Sequence, residues 1–579
     1  TALEIKTAFK EMDLHCETNN NDHHTSQISV NKLIVRRGQP FNITLKMAKP
    51  FNPDSDQLTM KVVTGKYPSE ERGTMSRFGV SDKVEPSPCA IAVWKAELQK
   101  NSLPETGMLA LTITPPANAP VGEYKLSAGL KAEENELAEL FVLFNPWCSG
   151  RFVCTLSVER QEYVMNQHGI IYKGSDQYIH GLTWDFGQFE EDMVQICLKL
   201  LDLSRKHKRN PADDVSARCN PIYVGRVVTN MVNKEDTNNG VLVGKWSGNY
   251  GFGFPPTHWS GSYAILKQWY TTSFKRVNYG QCWVFAGIMC SVMRLLGIPC
   301  RVVTNFQSAH DSNANLIIDK YYGDFLVRPK ETDEHVWNFH VWTEGWMRRP
   351  DLAEDGRYDG WQALDGTPQE LSENVFCCGP APVSAILKGD VHLKYDVLFV
   401  SAEVNADVVS WLVKRDGSKV ELFSDTKSVG QHISTKAVGS DERMDITNTY
   451  KYTEGGLSQQ TDRIISVHSC GGFYSRRVGE PKHSWVCTNK NPGKVFFLLV
   501  FKISPLFQVP AEAKVYQKMT FKVNFKNPVN ETLTGCTLTV SGSGLVRSEE
   551  TIKYVFPAGK CAYTGAGFQT LRTNQSFKM

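Results

Sequence analysis

The chain lacks a long apolar run: its longest, Val495–Phe501, spans seven residues, against the roughly 20 an α-helix needs to cross a bilayer. The start, TALEIKTAFKEMD, has no apolar leader stretch, so the expectation is a soluble protein without a signal peptide, in the form given. Charge of one sign is also missing. Lys and Arg number 64 against 61 Asp and Glu, a net of +3, which points to neither nucleic acid nor a membrane surface as partner. Internal repeats and low-complexity stretches are absent. What remains is an ordinary globular composition in 579 residues, long enough for about three to five domains.

Cysteine is present, but not in structural patterns. The fifteen residues are an odd count with no C-x-x-C pair, which argues against a disulfide framework and against zinc or thioredoxin-type sites. Reduced thiols in a reducing compartment are the expectation, and each thiol is then a candidate nucleophile. The neighbours Cys377 and Cys378 could close only a strained, easily reduced ring; two inert buried thiols are the favoured reading over a redox switch.

From the start to about residue 140 the pattern has period two, as in Leu58, Met60, Val62 and again Leu109, Leu111, Ile113. Pro115, Pro116 and Pro120 punctuate it. This predicts an immunoglobulin-like antiparallel β-sandwich. After Asn145-Pro146-Trp147 the texture changes. Met193, Ile196, Cys197 and Leu200 are spaced for a helix, with Glu190, Glu191 and Asp192 expected in its first turn. A second helix, apolar on most sides, is expected from about Gln281 to Leu296, ended by Gly297 and Pro299, and so central to its domain. Strands are expected at Val336–Trp342, Trp361–Asp365 and Val397–Val404, which makes the middle an α+β domain. Alternation returns near Val523 and Phe525 and again at Cys536, Leu538 and Val540, so the tail is β. Its length is tight for two complete sandwich-sized domains.

Tyr279-Gly280-Gln281-Cys282-Trp283 puts a cysteine at the first turn of the central helix, where free backbone N–H groups and the dipole favour thiolate. A cysteine nucleophile needs a base and a group that fixes the base's tautomer. His335 and His340 lie five apart, so on one strand they face opposite ways. His340, among aromatics, has the drier setting and is the better base. Asp365 ends the next apolar strand after the connection 343–360, and an antiparallel return would bring it beside His340; a carboxylate there is costly unless paired.

Tyr279–Ala286, Trp337-Asn338-Phe339-His340, Gly360–Asp365 and Arg36-Arg37-Gly38-Gln39-Pro40-Phe41 together closely resemble the animal transglutaminases, the tissue type above all. The resemblance is strong to about residue 456 and patchy beyond. It implies four domains: a sandwich (1–140), a papain-like catalytic core (141–460), a short or incomplete first β-barrel (461–507) and a second (508–579). It further implies calcium-dependent acyl transfer from protein glutamines to lysines or polyamines, through a Cys282 thioester, with deamidation as a side reaction. A thiol hydrolase, protease or deamidase, is the rival within catalysis, and an inactive structural homologue the rival outside it.

By the same resemblance Trp246 supplies an indole N–H to the oxyanion beside the backbone N–H of Cys282, and Trp337 walls the substrate tunnel. Calcium is implied at three clusters. Asp311, Asn313, Asn315 and Ile317 with Glu334 form the first; this is not an EF-hand, since position 6 is Leu316 and position 12 is Tyr322. Asn405, Thr426 and Glu454 form the second, whose further carboxylate has no match. Asn230, Asn233 and Glu235 form the third, which has one extra residue before Gly240. The run Arg205–Arg209 is expected as a solvated helix end. Guanine-nucleotide inhibition, known for tissue-type relatives, is not supported by the tail. The implied setting is cytoplasmic, with unconventional export as the alternative.

Overall fold

The computed structural model describes residues 8–452, apart from 54, 81–83, 131–132, 149–156, 235–238 and 324–332, and beyond them the backbone of strand segments between 507 and 578. The first unit is the expected two-sheet sandwich, antiparallel except where Leu33–Arg36 runs parallel to Glu133–Leu143. One sheet orders Phe9–Asp13, Phe41–Met47, Met108–Thr114 and Lys95–Leu98; the other orders Leu33–Arg36, Glu133–Leu143, Gly122–Leu130, Leu58–Thr64 and Met75–Gly79. Burial alternates strictly along Phe41–Met47 and Leu58–Thr64, so every second side chain enters the layer between the sheets. Trp94 fills its middle, packed by the rings of Phe41, Phe78 and Tyr124.

The Arg-Arg-Gly motif joins this sandwich to the next unit. Arg36 donates to the carbonyls of His23 and Phe144, and Arg37 to those of Ala119 and Cys219. Both guanidinium groups are buried, a placement tolerated because backbone oxygens satisfy them. Gly38 follows at φ 73°, a turn conformation that glycine adopts without strain.

In the middle unit the helix Cys282–Leu296 is buried along its whole length, as its all-round apolar sequence requires. Gly297, at φ 91°, ends it. It packs on a six-stranded sheet ordered Cys378–Pro382, Gly360–Asp365, His335–Met347, Cys300–His310, Gln431–Lys436 and Arg443–Asp445. On its other side Gly287 faces the Trp184 ring at a distance that leaves no room for a Cβ.

Three details differ from the sequence expectations. The segment Val397–Asn405 is a helix, not a strand. A short continuous apolar run suits either, and the buried residues include Val397, Val400, Ser401 and Val404 at helical spacing. The helix Met193–Asp202 begins after its acidic residues, because Asp192 takes a left-handed conformation and stops the helix there. The His340 strand runs on to Met347 and the Asp365 strand starts at Gly360, so the loop between them is shorter than the 343–360 connection.

Arg205–Arg209 forms a short helix capped by Ser204, with Lys206, Lys208 and Arg209 exposed, the solvated end expected. In the tail, Lys518–Lys526 pairs antiparallel with Phe507–Gln508 and Cys561–Gln569, and Leu533–Val540 with Glu550–Phe556. The β character is as expected there. The expected first barrel, 461–507, lies almost wholly outside the described residues.

Candidate active site

Cys282 is the first residue of the central helix. Gln281 before it is extended, its carbonyl accepts from the N–H groups of Val284 and Phe285, and its side-chain amide donates to the Lys245 carbonyl. The thiol is therefore held where the helix starts, with 6% of the residue exposed. Thr343 Oγ1 donates to the Ala286 carbonyl, one turn into the helix, at 3.0 Å, and the Trp283 ring meets that of Phe339. These contacts lock the helix start against the strand that carries His340.

His340 Nε2 donates to Asp365 Oδ2 at 2.7 Å. The Cys282 thiol lies near enough to the imidazole to favour its charged form. Burial disfavours the imidazolium, but the Asp365 carboxylate, through its charge and the hydrogen bond it accepts, together with Cys282 and Glu403, outweighs it and holds His340 well above the usual histidine range. Asp365 accepts a second bond, from the Thr367 N–H at 2.8 Å.

Two residues in this site escaped sequence reasoning. Glu403, on the helix Val397–Asn405, is buried with Oε1 3.6 Å from His340 Nε2; burial pushes its pKa up to about 8, against the opposing pull of His340. Gln369 holds the group together. Its amide nitrogen donates to Asp365 Oδ2 and Glu403 Oε1, each at 3.0 Å, and lies 2.9 Å from His340 Nε2. The available signal for Glu403 was a lone acid inside an apolar run, which must be paired or neutral.

Trp246 follows the short strand Leu242–Gly244, which pairs in parallel with Val277–Gly280, the strand leading into Cys282. Its ring lies over Gly244, near Phe285, and the residue is 41% exposed. Trp337, three residues before His340, is half-buried with its ring edge-on to His335, and its indole N–H is buried without a hydrogen-bond partner. Lys173 places its ammonium 3.5 Å from the centre of the Trp283 ring. Burial lowers its pKa, and the neighbouring Cys282 opposes that shift.

Of the three clusters expected to hold calcium, the first is brought together. Asp311 accepts from the N–H groups of Asn313, Ala314 and Leu316, Asn315 from that of Ile317, and Asn313 donates to Glu334. Burial raises the Glu334 pKa; Asp319, Asp311 and Asp333 add to this through their charge, although the Asp319 N–H bond opposes it. Oxygen donors gathered with mutually repelling carboxylates fit a hard divalent cation. At the second cluster Asn405 ends its helix and Thr426 lies in the turn after Lys419–Asp425; Glu454 lies outside the described residues. At the third, Asn230 and Asn233 donate to the Phe376 carbonyl, and Glu235 also lies outside them. Cys377 and Cys378 are free thiols, the first pushed up to about 12 and the second well above the ordinary range, in each case first by burial. That is the inert alternative.

A buried helix headed by a thiol, packed on a sheet that presents an Asp-bound histidine, defines the papain-like class of thiol–imidazole–carboxylate proteins. Within it, family models for the transglutaminase family and the transglutaminase-like superfamily match residues 10–131 and 249–366. The chain is 46% identical to bovine (Bos taurus) protein-glutamine gamma-glutamyltransferase 2, covering 82% of this chain and 69% of that protein. With the human (Homo sapiens) protein of that name it shares 49% identity, covering 78% of this chain and 65% of the relative. The chain thus spans about two thirds of the length of these curated relatives. The crystal structure of red sea bream transglutaminase superposes with a TM-score of 0.70 at 32% identity, covering 98% of this chain and 96% of that one. The chain belongs to the transglutaminase family.

Proposed function

We propose that this protein is a protein-glutamine γ-glutamyltransferase, activated by calcium, that joins protein glutamines to lysine side chains or polyamines. The observation that supports this most directly is a buried His340, hydrogen-bonded to Asp365, on the strand that Thr343 ties to the helix headed by Cys282. The Cys282 thiolate attacks the side-chain carboxamide carbon of a bound glutamine. The C–N bond breaks, His340 gives its proton to the departing ammonia, and a thioester remains. An incoming amine then attacks the thioester carbonyl and passes a proton back to His340. The C–S bond breaks, the thiolate is restored and an isopeptide bond is released. Water in place of the amine yields glutamate. Asp365 keeps the imidazole oriented and stabilises its cation. Trp246 and the Cys282 backbone N–H are the proposed oxyanion donors, and Trp337 the wall that keeps water from the thioester.

Asp311, Asn313, Asn315, the Ile317 carbonyl and Glu334 are the residues proposed to hold calcium at the best-formed site. Asn405 with Thr426 and Glu454, and Asn230 and Asn233 with Glu235, are proposed for two more. Calcium held there would neutralise the carboxylates of Asp311, Glu334, Glu454 and Glu235. The ten described cysteines are free thiols, which suits a reducing cytoplasmic setting, and no helix among the described residues is long and apolar enough to cross a membrane.

The test is to offer a fluorescent primary amine with casein, with and without free calcium. Covalent labelling of casein that requires calcium is the expected result. Peptide fragments without labelling would replace this reading with proteolysis.

A further inference from the structure

His340 Nε2 faces two carboxyl groups that come from different elements. Asp365, at the end of its strand, offers Oδ2 at 2.7 Å, and Glu403, on the helix Val397–Asn405, offers Oε1 at 3.6 Å. All three side chains are about 95% buried or more, so bulk water does not compete with either acceptor. A carboxyl oxygen accepts a hydrogen bond whether or not its group is ionised, so both acids can take the imidazole N–H. Nor can Glu403 withdraw. Its backbone carbonyl accepts from Asn305 Nδ2 at 2.7 Å, and Asn305 lies directly across the strand pair from His340.

Gln369 stands between the two acids. The Thr367 N–H donates to Asp365 Oδ1 at 2.8 Å, and the Gln369 N–H donates to the Thr367 carbonyl at 2.9 Å. The chain is thereby folded back, so that Gln369 returns to the acid it has just left. Its side-chain nitrogen lies 3.0 Å from Asp365 Oδ2 and 3.0 Å from Glu403 Oε1. A primary amide carries two N–H groups, one for each acid. None remains for His340 Nε2, 2.9 Å away, which is itself a donor to Asp365; the two nitrogens are neighbours because they share an acceptor. One amide N–H thus occupies the Glu403 oxygen nearest the imidazole, and the other braces the Asp365 oxygen that the imidazole uses.

We propose that Gln369 is a positioning residue that commits His340 to Asp365: by bridging the two acids it withholds Glu403 Oε1 from the imidazole, and so holds the ring in the orientation that proton exchange requires. The inference deepens the acyl-transfer reading above and rests on it for what His340 does. Turning Nε2 from Asp365 towards Glu403 swings the opposite edge of the ring, which carries Nδ1, the nitrogen left to exchange protons with sulfur and amine. A displacement of about 1 Å at a reacting atom costs on the order of a hundredfold in rate.

The experiment is a double-mutant cycle between Gln369→Met, which keeps the side-chain length and removes both N–H donors, and Glu403→Leu, which removes the competing acceptor. Gln369→Met is expected to lower kcat for amine incorporation into casein about ten- to hundredfold, with KM of casein and of the amine unchanged. It is also expected to slow alkylation of Cys282 by iodoacetamide at pH 7, followed by mass spectrometry of the peptide that bears it. In the Glu403→Leu background the same substitution changes either rate less than about threefold, because the two residues act through one shared contact. Urea midpoints establish that each variant is folded; Glu403→Met replaces Glu403→Leu in the cycle if the latter is not. Equal losses in both backgrounds mean that Gln369 only packs and overturn the proposal, as does an unchanged kcat in Gln369→Met or an effect confined to KM. Alkylation requires no acyl transfer. An unsubstituted protein that incorporates no amine, yet shows the coupling in alkylation, therefore overturns the acyl-transfer reading and leaves the assignment of Gln369 standing.

Discussion

His340 and Asp365 meet at 2.7 Å with both side chains about 95% buried. An imidazolium so deep in the fold depends on that carboxylate. In Asp365→Asn the charge is gone, and burial then works unopposed by its strongest partner to pull the His340 pKa down. Amine incorporation is expected to fall on the order of 10³–10⁴-fold, with the remaining activity shifted to lower pH; a pH–rate profile checks it.

Cys282→Ala removes a small buried side chain, so the fold is expected to persist within about 1 kcal/mol. Amine incorporation should vanish. Circular dichroism and a denaturant midpoint report the first, the casein assay the second; surviving incorporation would assign the nucleophile to another thiol.

Glu403 stays protonated up to about 8 in the fold, against about 4.3 for an ordinary glutamate. Between these values the folded chain holds more protons than the unfolded one, so this residue makes stability fall as pH rises through the window. Its contribution is level above the upper value. His340, also raised, adds a fall of the same sign above its ordinary value near 6.5. Glu403→Gln, neutral at every pH, should flatten the slope between about 4.5 and 8. Urea midpoints at pH 5, 7 and 9 measure it.

Glu334 accepts from Asn313 and from the Asp319 N–H. Glu334→Gln removes one charge from the cluster proposed to hold calcium, and the calcium concentration for half-maximal activity is expected to rise on the order of tenfold, within the range set by ligand charge count. Calorimetric titration with calcium gives the same shift without using activity. Chelating all calcium should silence the unsubstituted protein while leaving its far-UV circular dichroism unchanged.

Trp246→Ala is expected to lower kcat by about 10²–10³, the cost of one oxyanion donor, with little change in KM. An effect limited to KM would make Trp246 part of the tunnel wall only.

The sandwich was legible because one face of each strand is buried and the other is not, so Leu58, Met60 and Val62 betray their period. The central helix was legible from its apolar girth and its terminating glycine. Cys282, His340 and Asp365 could be singled out by residue type and setting. Val397–Asn405 was misread for a physical reason: when most sides of an element are apolar, period two and period 3.6 look alike over nine residues. Gln369 left no trace in sequence, since a glutamine after a strand has no distinguishing neighbour, and Glu403 was hidden in the misread helix.

Sequence alone therefore determined which groups can do chemistry and which elements carry them, because burial periodicity and helix termini are local properties. Only the tertiary structure decided that Gln369 and Glu403 join His340 and Asp365 in one buried hydrogen-bonded group. Those facts depend on which strands and helices pack together, and the contacts that settle it link residues as far apart in sequence as His340 and Glu403.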